Sequence, residues 1–231
     1  MVQGMLTKNA AIVKLSSADP IFPIMFARTL AQVDKEGALA GSLALVSWRG
    51  GDSEVEEVFK SGVDGAIVWG GEEAVQAYRQ GLNAGARLIE HGPKMSFAII
   101  TKELFESDME RKRRSAAYAL AHDVALWDQA ACASPQMVYL ECDRFEAEQF
   151  SKVLAEELEK FADKWPPGEL DIHEEVELTK VREQATFEAA VGEKSVMFPD
   201  DRSARWTIIV TNDKRPTPSP LNRCIVLRPI E

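Results

Sequence analysis

DGAIVWGGEEAVQAYRQGL, Asp64 to Leu82, packs a short apolar run, the pair Gly70-Gly71 and an acidic helix-like segment into nineteen residues. The run DGAIVWGG has the length and β-branched content of a strand. In the segment that follows, apolar residues recur at helical spacing behind Glu72 and Glu73, which complement the positive end of a helix dipole. A strand passing directly into a helix is half of a βαβ unit, so the neighbouring segments decide the fold.

On both sides the pattern repeats. AAIVKL (10–15) reads as a strand, with Asp19-Pro20 supplying an N-cap and first-turn proline for a helix to about Val33. SLALVSW (42–48) reads as a second strand, and Gly50-Gly51-Asp52-Ser53 opens an amphipathic helix carrying Val55, Val58 and Phe59. ARLIE (86–90) and SFAIIT (96–101) are further strands. Strands separated by helices of about 10–15 residues predict right-handed crossovers and a mainly parallel sheet covered on both faces.

Beyond Gly92-Pro93 the texture changes, and this sets the expected division: a partial dinucleotide-binding domain over residues 1–93 and a partial catalytic domain over 94–231. A charged helical stretch (102–122) leads to a cysteine segment, and MVYLE (137–141) reads as a strand. FEAEQFSKVLAEELEKFADK (145–164) has strong helical periodicity and stops at Pro166-Pro167-Gly168. A helix over Leu170 to Ala190 and the strands KSVMF, RWTIIVT and CIVLRPI complete the α/β pattern.

The 231 residues are 45% hydrophobic and 28% charged, which is ordinary globular usage. A net charge of −10 opposes nonspecific attraction to nucleic acid, whose phosphates need a Lys/Arg surface. The one basic run, in MERKRRSA, reads as a solvated helix face. No apolar stretch approaches a membrane span and no secretory signal pattern opens the chain, a combination expected of a cytoplasmic protein. Cys132, Cys142 and Cys224 are odd in number and lack CxxC spacing, so neither a disulfide framework nor a zinc site is expected.

Four places carry candidate chemistry. Lys14 closes its strand at the edge where open α/β sheets bind ligands, although a solvated lysine satisfies the same position. Gly70-Gly71 stands at a strand-to-helix passage where amides could face a phosphate or a planar ring; it also suits a plain structural turn, and Glu72 and Glu73 would repel a phosphate. Glu90, followed by His91-Gly92-Pro93, could be a general base if burial raises its pKa, or could cap a turn. Cys132, in WDQAACASPQ, is flanked by small alanines that would let a carbonyl approach its sulfur; an inert buried thiol fits the same spacing. His122, ten residues earlier, has no third group to orient it.

These segments, in this order, resemble the aldehyde dehydrogenase superfamily. KNAAIVKLSSADP is similar to its GNxxxxKPSexTP segment, VWGGEEAV to FTGSxxxG, IEHGPKMSFAII to ELGGKxPxIV, and WDQAACASPQMVYLE to NxGQxCxxxxRxxV. Within the superfamily the chain most resembles LuxC-type acyl-CoA reductases, whose cysteine segment reads much like DQxACSSPQ and whose later SPLNR recurs at Ser219 to Arg223. The resemblance implies that Cys132 takes the acyl group from an acyl-CoA or acyl-protein thioester and that NADPH reduces the acyl-enzyme to an aldehyde. It implies Lys14 at the adenosine ribose or its 2′-phosphate, Ser17 in place of a common Glu favouring NADP, Gly70 and Gly71 near the pyrophosphate or nicotinamide, and Glu90 in proton transfer to the aldehyde or in activation of the thiol. The usual Ser after the first glycine is absent.

Members of that family are longer than this chain, so the resemblance covers their middle, and an acyl-transfer partner or homo-oligomer is expected of the full-length parent. Two rival readings are an oxidising NAD(P)-dependent aldehyde dehydrogenase and a catalytically silent module of the same fold.

Overall fold

Strand and helix alternate through a computed structural model that describes residues 1–17, 19–92, 94–106 and 110–230. The chain divides into two compact units, Met1–Gly92 and Pro93–Glu231.

In the first unit, α1 (Val2–Leu6) precedes β1 (Ala11–Lys14), α2 (Ile21–Val33), β2 (Leu43–Val46), α3 (Ser53–Gly62), β3 (Gly65–Trp69), α4 (Glu72–Gly81) and β4 (Arg87–His91). Local chemistry explains the helix starts. An Asp19 carboxylate oxygen accepts the Phe22 amide at 3.1 Å at the head of α2, and Asp52 accepts the Val55 amide at the head of α3. Strands β1 and β2 pair in parallel, as do β3 and β4.

Here the expected sheet covered on both faces is not what forms. Among the described residues, the four strands make two separate two-stranded ladders. On β3, Ala66 and Val68 are buried with Val75 of α4, while the alternate residues Ile67 and Trp69 face solvent. The apolar run GAIVW suggested burial on both sides, but a pleat turns successive side chains to opposite faces and only one face is packed.

The second unit holds β5 (Ser96–Ile100), α5 (Glu110–Ala125), β6 (Pro135–Leu140), α6 (Arg144–Lys164), α7 (Ile172–Ala190), β7 (Lys194–Met197), β8 (Thr207–Thr211) and β9 (Cys224–Pro229). Its five strands run β5-β6-β9-β8-β7, all pairs parallel except β7 against β8. Both faces are covered. Val138 and Leu140 of β6, Ile208 and Val210 of β8 and Ile225 and Leu227 of β9 pack against α5 and α6. Met137, Ile209, Cys224 and Val226 pack against Leu178 and Ala185 of α7.

The period of α6 accounts for its place in this core: Phe150, Leu154, Leu158 and Phe161 fall on one face and all are buried. Capping boxes, Asp143 with Glu146 and Asp171 with Glu174, start α6 and α7. The helix expected over 102–122 is shorter at its start: Lys102–Leu104 form a 3-10 turn, residues 107–109 lie outside the described residues, and α5 runs on to Ala125. Among the described residues, no helix is long and apolar enough to cross a membrane.

Candidate active site

The three thiols differ sharply. Cys142 and Cys224 are buried, and burial pushes both thiols up to about 12. Cys132 is exposed, in a turn that feeds the N-terminal end of β6. Among the described residues, no acceptor takes its backbone N–H, while its carbonyl accepts the Ser96 hydroxyl at the start of β5.

The approach to this turn is conformationally costly. After α5 ends, Trp127, Asp128 and Gln129 all have left-handed backbone angles, φ 51°, 51° and 69°. Each such non-glycine residue costs on the order of 1 kcal/mol, so a run of three persists only when its surroundings hold it. A second run of three, Leu221, Asn222 and Arg223 at φ 61°, 52° and 58°, lies in the SPLNR segment.

The two runs hold each other. The Asp128 carbonyl accepts the Asn222 amide at 3.0 Å, and Asp128 Oδ1 accepts Arg223 Nε at 2.6 Å. Asp128 Oδ2 accepts the Gly168 amide at 2.9 Å, just beyond the Pro-Pro that stops α6. The Arg223 side chain, only 3% exposed, also donates to the Trp165 carbonyl at 2.9 Å. The buried Gln129 side chain donates from Nε2 to the Pro135 carbonyl at 2.7 Å, closing the base of a loop, residues 130–134, that carries the thiol. Beyond the loop, Gln136 Oε1 accepts the Ser219 amide at 3.1 Å.

These polar residues were visible in the sequence only as marks of resemblance. Asp128, Gln136, Ser219 and Arg223 have structural tasks that spacing could not show, because Asp128 and Arg223 are 95 positions apart and Gln136 and Ser219 are 83. His122 packs its ring on Phe161 and Trp165, with ring centroids 5.8 Å away in each case, and its Nδ1 lies against Asp123. Among the described residues, no three His, Cys, Asp or Glu side chains are placed to hold a metal.

In the first unit, Lys14, Gly70 and Glu90 lie at the C-terminal ends of parallel strands. The Lys14 ammonium sits 5.4 Å from the Trp48 ring centroid, and Ser17 is exposed in the bend that follows β1. Gly70 has a packing reason: a Cβ there would come within 3.2 Å of the Ala74 Cβ. Gly71 is the N-cap of α4 with no side-chain cap, so the first amides of that helix are open beside Glu72 and Glu73.

Glu90 has the environment opposite to that of a raised-pKa base. Arg79 grips it through two bonds, Nε to Oε1 at 2.8 Å and Nη2 to Oε2 at 2.5 Å, and this holds its carboxyl below the ordinary range. The Trp69 and His91 rings stack at 5.0 Å with planes 9° apart, on the open side of the β3-β4 ladder.

Comparison with known proteins shows the family and the fold. The chain is 30% identical to the long-chain acyl-protein thioester reductase of Photorhabdus laumondii and 27% identical to that of Vibrio harveyi, in each case over the whole chain and 45% of the relative. It thus spans less than half the length of these relatives. Among solved structures, its fold matches the glyceraldehyde-3-phosphate dehydrogenase GapN of Methanocaldococcus jannaschii, determined with NADP, at a TM-score of 0.70 and 15% identity over 96% of this chain and 49% of that one. It also matches the P. syringae indole-3-acetaldehyde dehydrogenase AldA, determined with NAD+, at 0.68 and 16% over 97% and 46%. The fold is that of the aldehyde dehydrogenases, and the family described as acyl-CoA reductase (LuxC) matches residues 1–231 in full. The chain belongs to the LuxC acyl-CoA reductase family.

Proposed function

We propose that this chain carries the acyl-accepting half of an acyl thioester reductase, with Cys132 as the nucleophile. The observation that carries the reading is the contrast among the thiols: two are buried with ionisation suppressed, and the third is presented on a loop with both feet fixed. In this reading the Cys132 thiolate attacks the carbonyl carbon of an acyl-CoA or acyl-protein thioester. The thioester's C–S bond breaks, the donor leaves as a free thiol, and a new thioester joins the acyl group to Cys132. The open backbone N–H of Cys132 is a donor for the oxyanion formed on the way.

NADPH, when bound, would supply the hydride that takes the acyl group to the aldehyde. The first unit offers residues that fit its ribose end. Lys14 is a cation held at a strand terminus, and Ser17 brings no negative charge near a 2′-phosphate. The open amides at the head of α4 suit an uncharged contact, since Glu72 and Glu73 oppose a phosphate there. Glu90, held ionised by Arg79, suits accepting a hydrogen bond better than donating a proton.

The rival oxidising reading needs a base to activate water on the acyl-enzyme. Incubating the chain with a long-chain acyl-CoA and NADPH, and separately with the matching aldehyde and NADP+, separates the two. Thioester-dependent NADPH consumption with aldehyde as product is expected; acid formation from aldehyde without thioester reduction would establish the oxidising reading instead.

A further inference from the structure

We infer that Arg223 is a positioning residue for Cys132, acting through Asp128 as a clasp on the nucleophile loop. The inference rests on the reading of Cys132 as the acyl acceptor and goes beyond it.

A chain that adopts three consecutive left-handed residues at 127–129 relaxes to the right-handed or extended region unless other contacts prevent it. The contacts that do so converge on Asp128. Its carbonyl and both carboxylate oxygens are occupied, by the Asn222 amide, Arg223 Nε and the Gly168 amide. Arg223 reaches Asp128 with Nε and the Trp165 carbonyl with Nη2. It therefore joins three segments around one buried guanidinium: the approach to the cysteine, the end of α6 and the SPLNR turn.

The left-handed run at 221–223 serves the same end. Its turn is tied by the Ser219 hydroxyl, which accepts the Leu221 amide at 3.0 Å, and by the Ser219 amide, which donates to Gln136. The SPLNR turn thus grips both sides of the thiol loop: Asp128 before it and Gln136 after it.

Shape and charge make separable predictions. Lysine at 223 would keep the positive charge and much of the volume, but a single ammonium cannot present the planar fork that meets Asp128 and the Trp165 carbonyl together. Arg223→Lys is therefore the informative variant and Asp128→Asn its partner. The first measurement is peptide-resolved hydrogen exchange on the whole chain. Exchange is expected to rise together in residues 127–136 and 219–224, with residues 147–162 of α6 unchanged.

The second measurement is transfer of the acyl group from a long-chain acyl-CoA to Cys132. The rate constant at saturation is expected to fall about tenfold to a hundredfold, while the half-saturating concentration stays within about twofold. Unchanged exchange in the cysteine loop, exchange that rises throughout the unit, or an unchanged rate constant would each overturn the clasp. If the unsubstituted chain takes up no acyl group, the reading of Cys132 as acceptor fails and the exchange result alone decides whether the clasp exists.

Discussion

At the scale of single residues, environment separates thiols that composition treats as equal. Cys132 lies at the surface beside small side chains, whereas Cys142 and Cys224 sit in the packed unit with their ionisation pushed up to about 12. Only thiolates alkylate at useful rates. Iodoacetamide at mildly alkaline pH, followed by peptide mapping, is therefore expected to modify the exposed Cys132 while Cys142 and Cys224 react only after unfolding. Modification of a buried cysteine in step with Cys132 would contradict the packing described. Cys132 was singled out in the sequence by its flanks, but what holds it was not legible there. Asp128 and Arg223 are 95 positions apart, and nothing in either segment records that both backbones turn left-handed and lock. Glu90 shows the converse. Its place at the end of β4 could be read from the sequence, yet its partner Arg79 sits on the preceding helix, and that pairing lowers the pKa a general base would need raised.

At the scale of elements, periodicity and capping were the legible signals. The boundaries of α2, α6 and β8 follow from Asp19-Pro20, from the spacing of Phe150, Leu154 and Leu158, and from a continuous apolar run. The open face of β3 was not legible, because an apolar run reads alike whether one or both faces are covered. The start of α7 offers a direct check. Asp171 accepts the amides of His173 at 2.8 Å and Glu174 at 2.9 Å, and the Glu174 amide in particular holds its carboxyl below the ordinary value. Asp171→Ala is expected to lower the thermal midpoint at neutral pH by roughly 2–4 °C, the size of a lost helix cap. Because the folded pKa is depressed, the cap's contribution is complete above the unfolded value near pH 3.9 and is lost as pH falls through it toward the folded value. The gap between wild type and variant should therefore close below about pH 4. A gap that persists there, or none at neutral pH, would contradict the assigned cap.

At the scale of the whole molecule, the two units are unequally packed. Among the described residues, the buried hydrophobics of the first unit are Leu15, Ala66, Val68 and Val75, whereas β8 and β9 of the second are buried along their whole lengths. Local opening is cheapest where few apolar contacts must be broken. Amides of β1 and β3 are thus expected to exchange faster than those of β8 and β9, with equal protection contradicting the difference in packing. The central claim concerns the second unit alone, and it is tested most directly by mixing the chain with one long-chain acyl-CoA in the absence of nicotinamide and measuring both free thiol released and intact mass. The account predicts one equivalent of thiol, one acyl adduct mapped to the peptide containing Cys132, and neither in Cys132→Ala. An adduct that persists in Cys132→Ala, or thiol released with no adduct at Cys132, would contradict it.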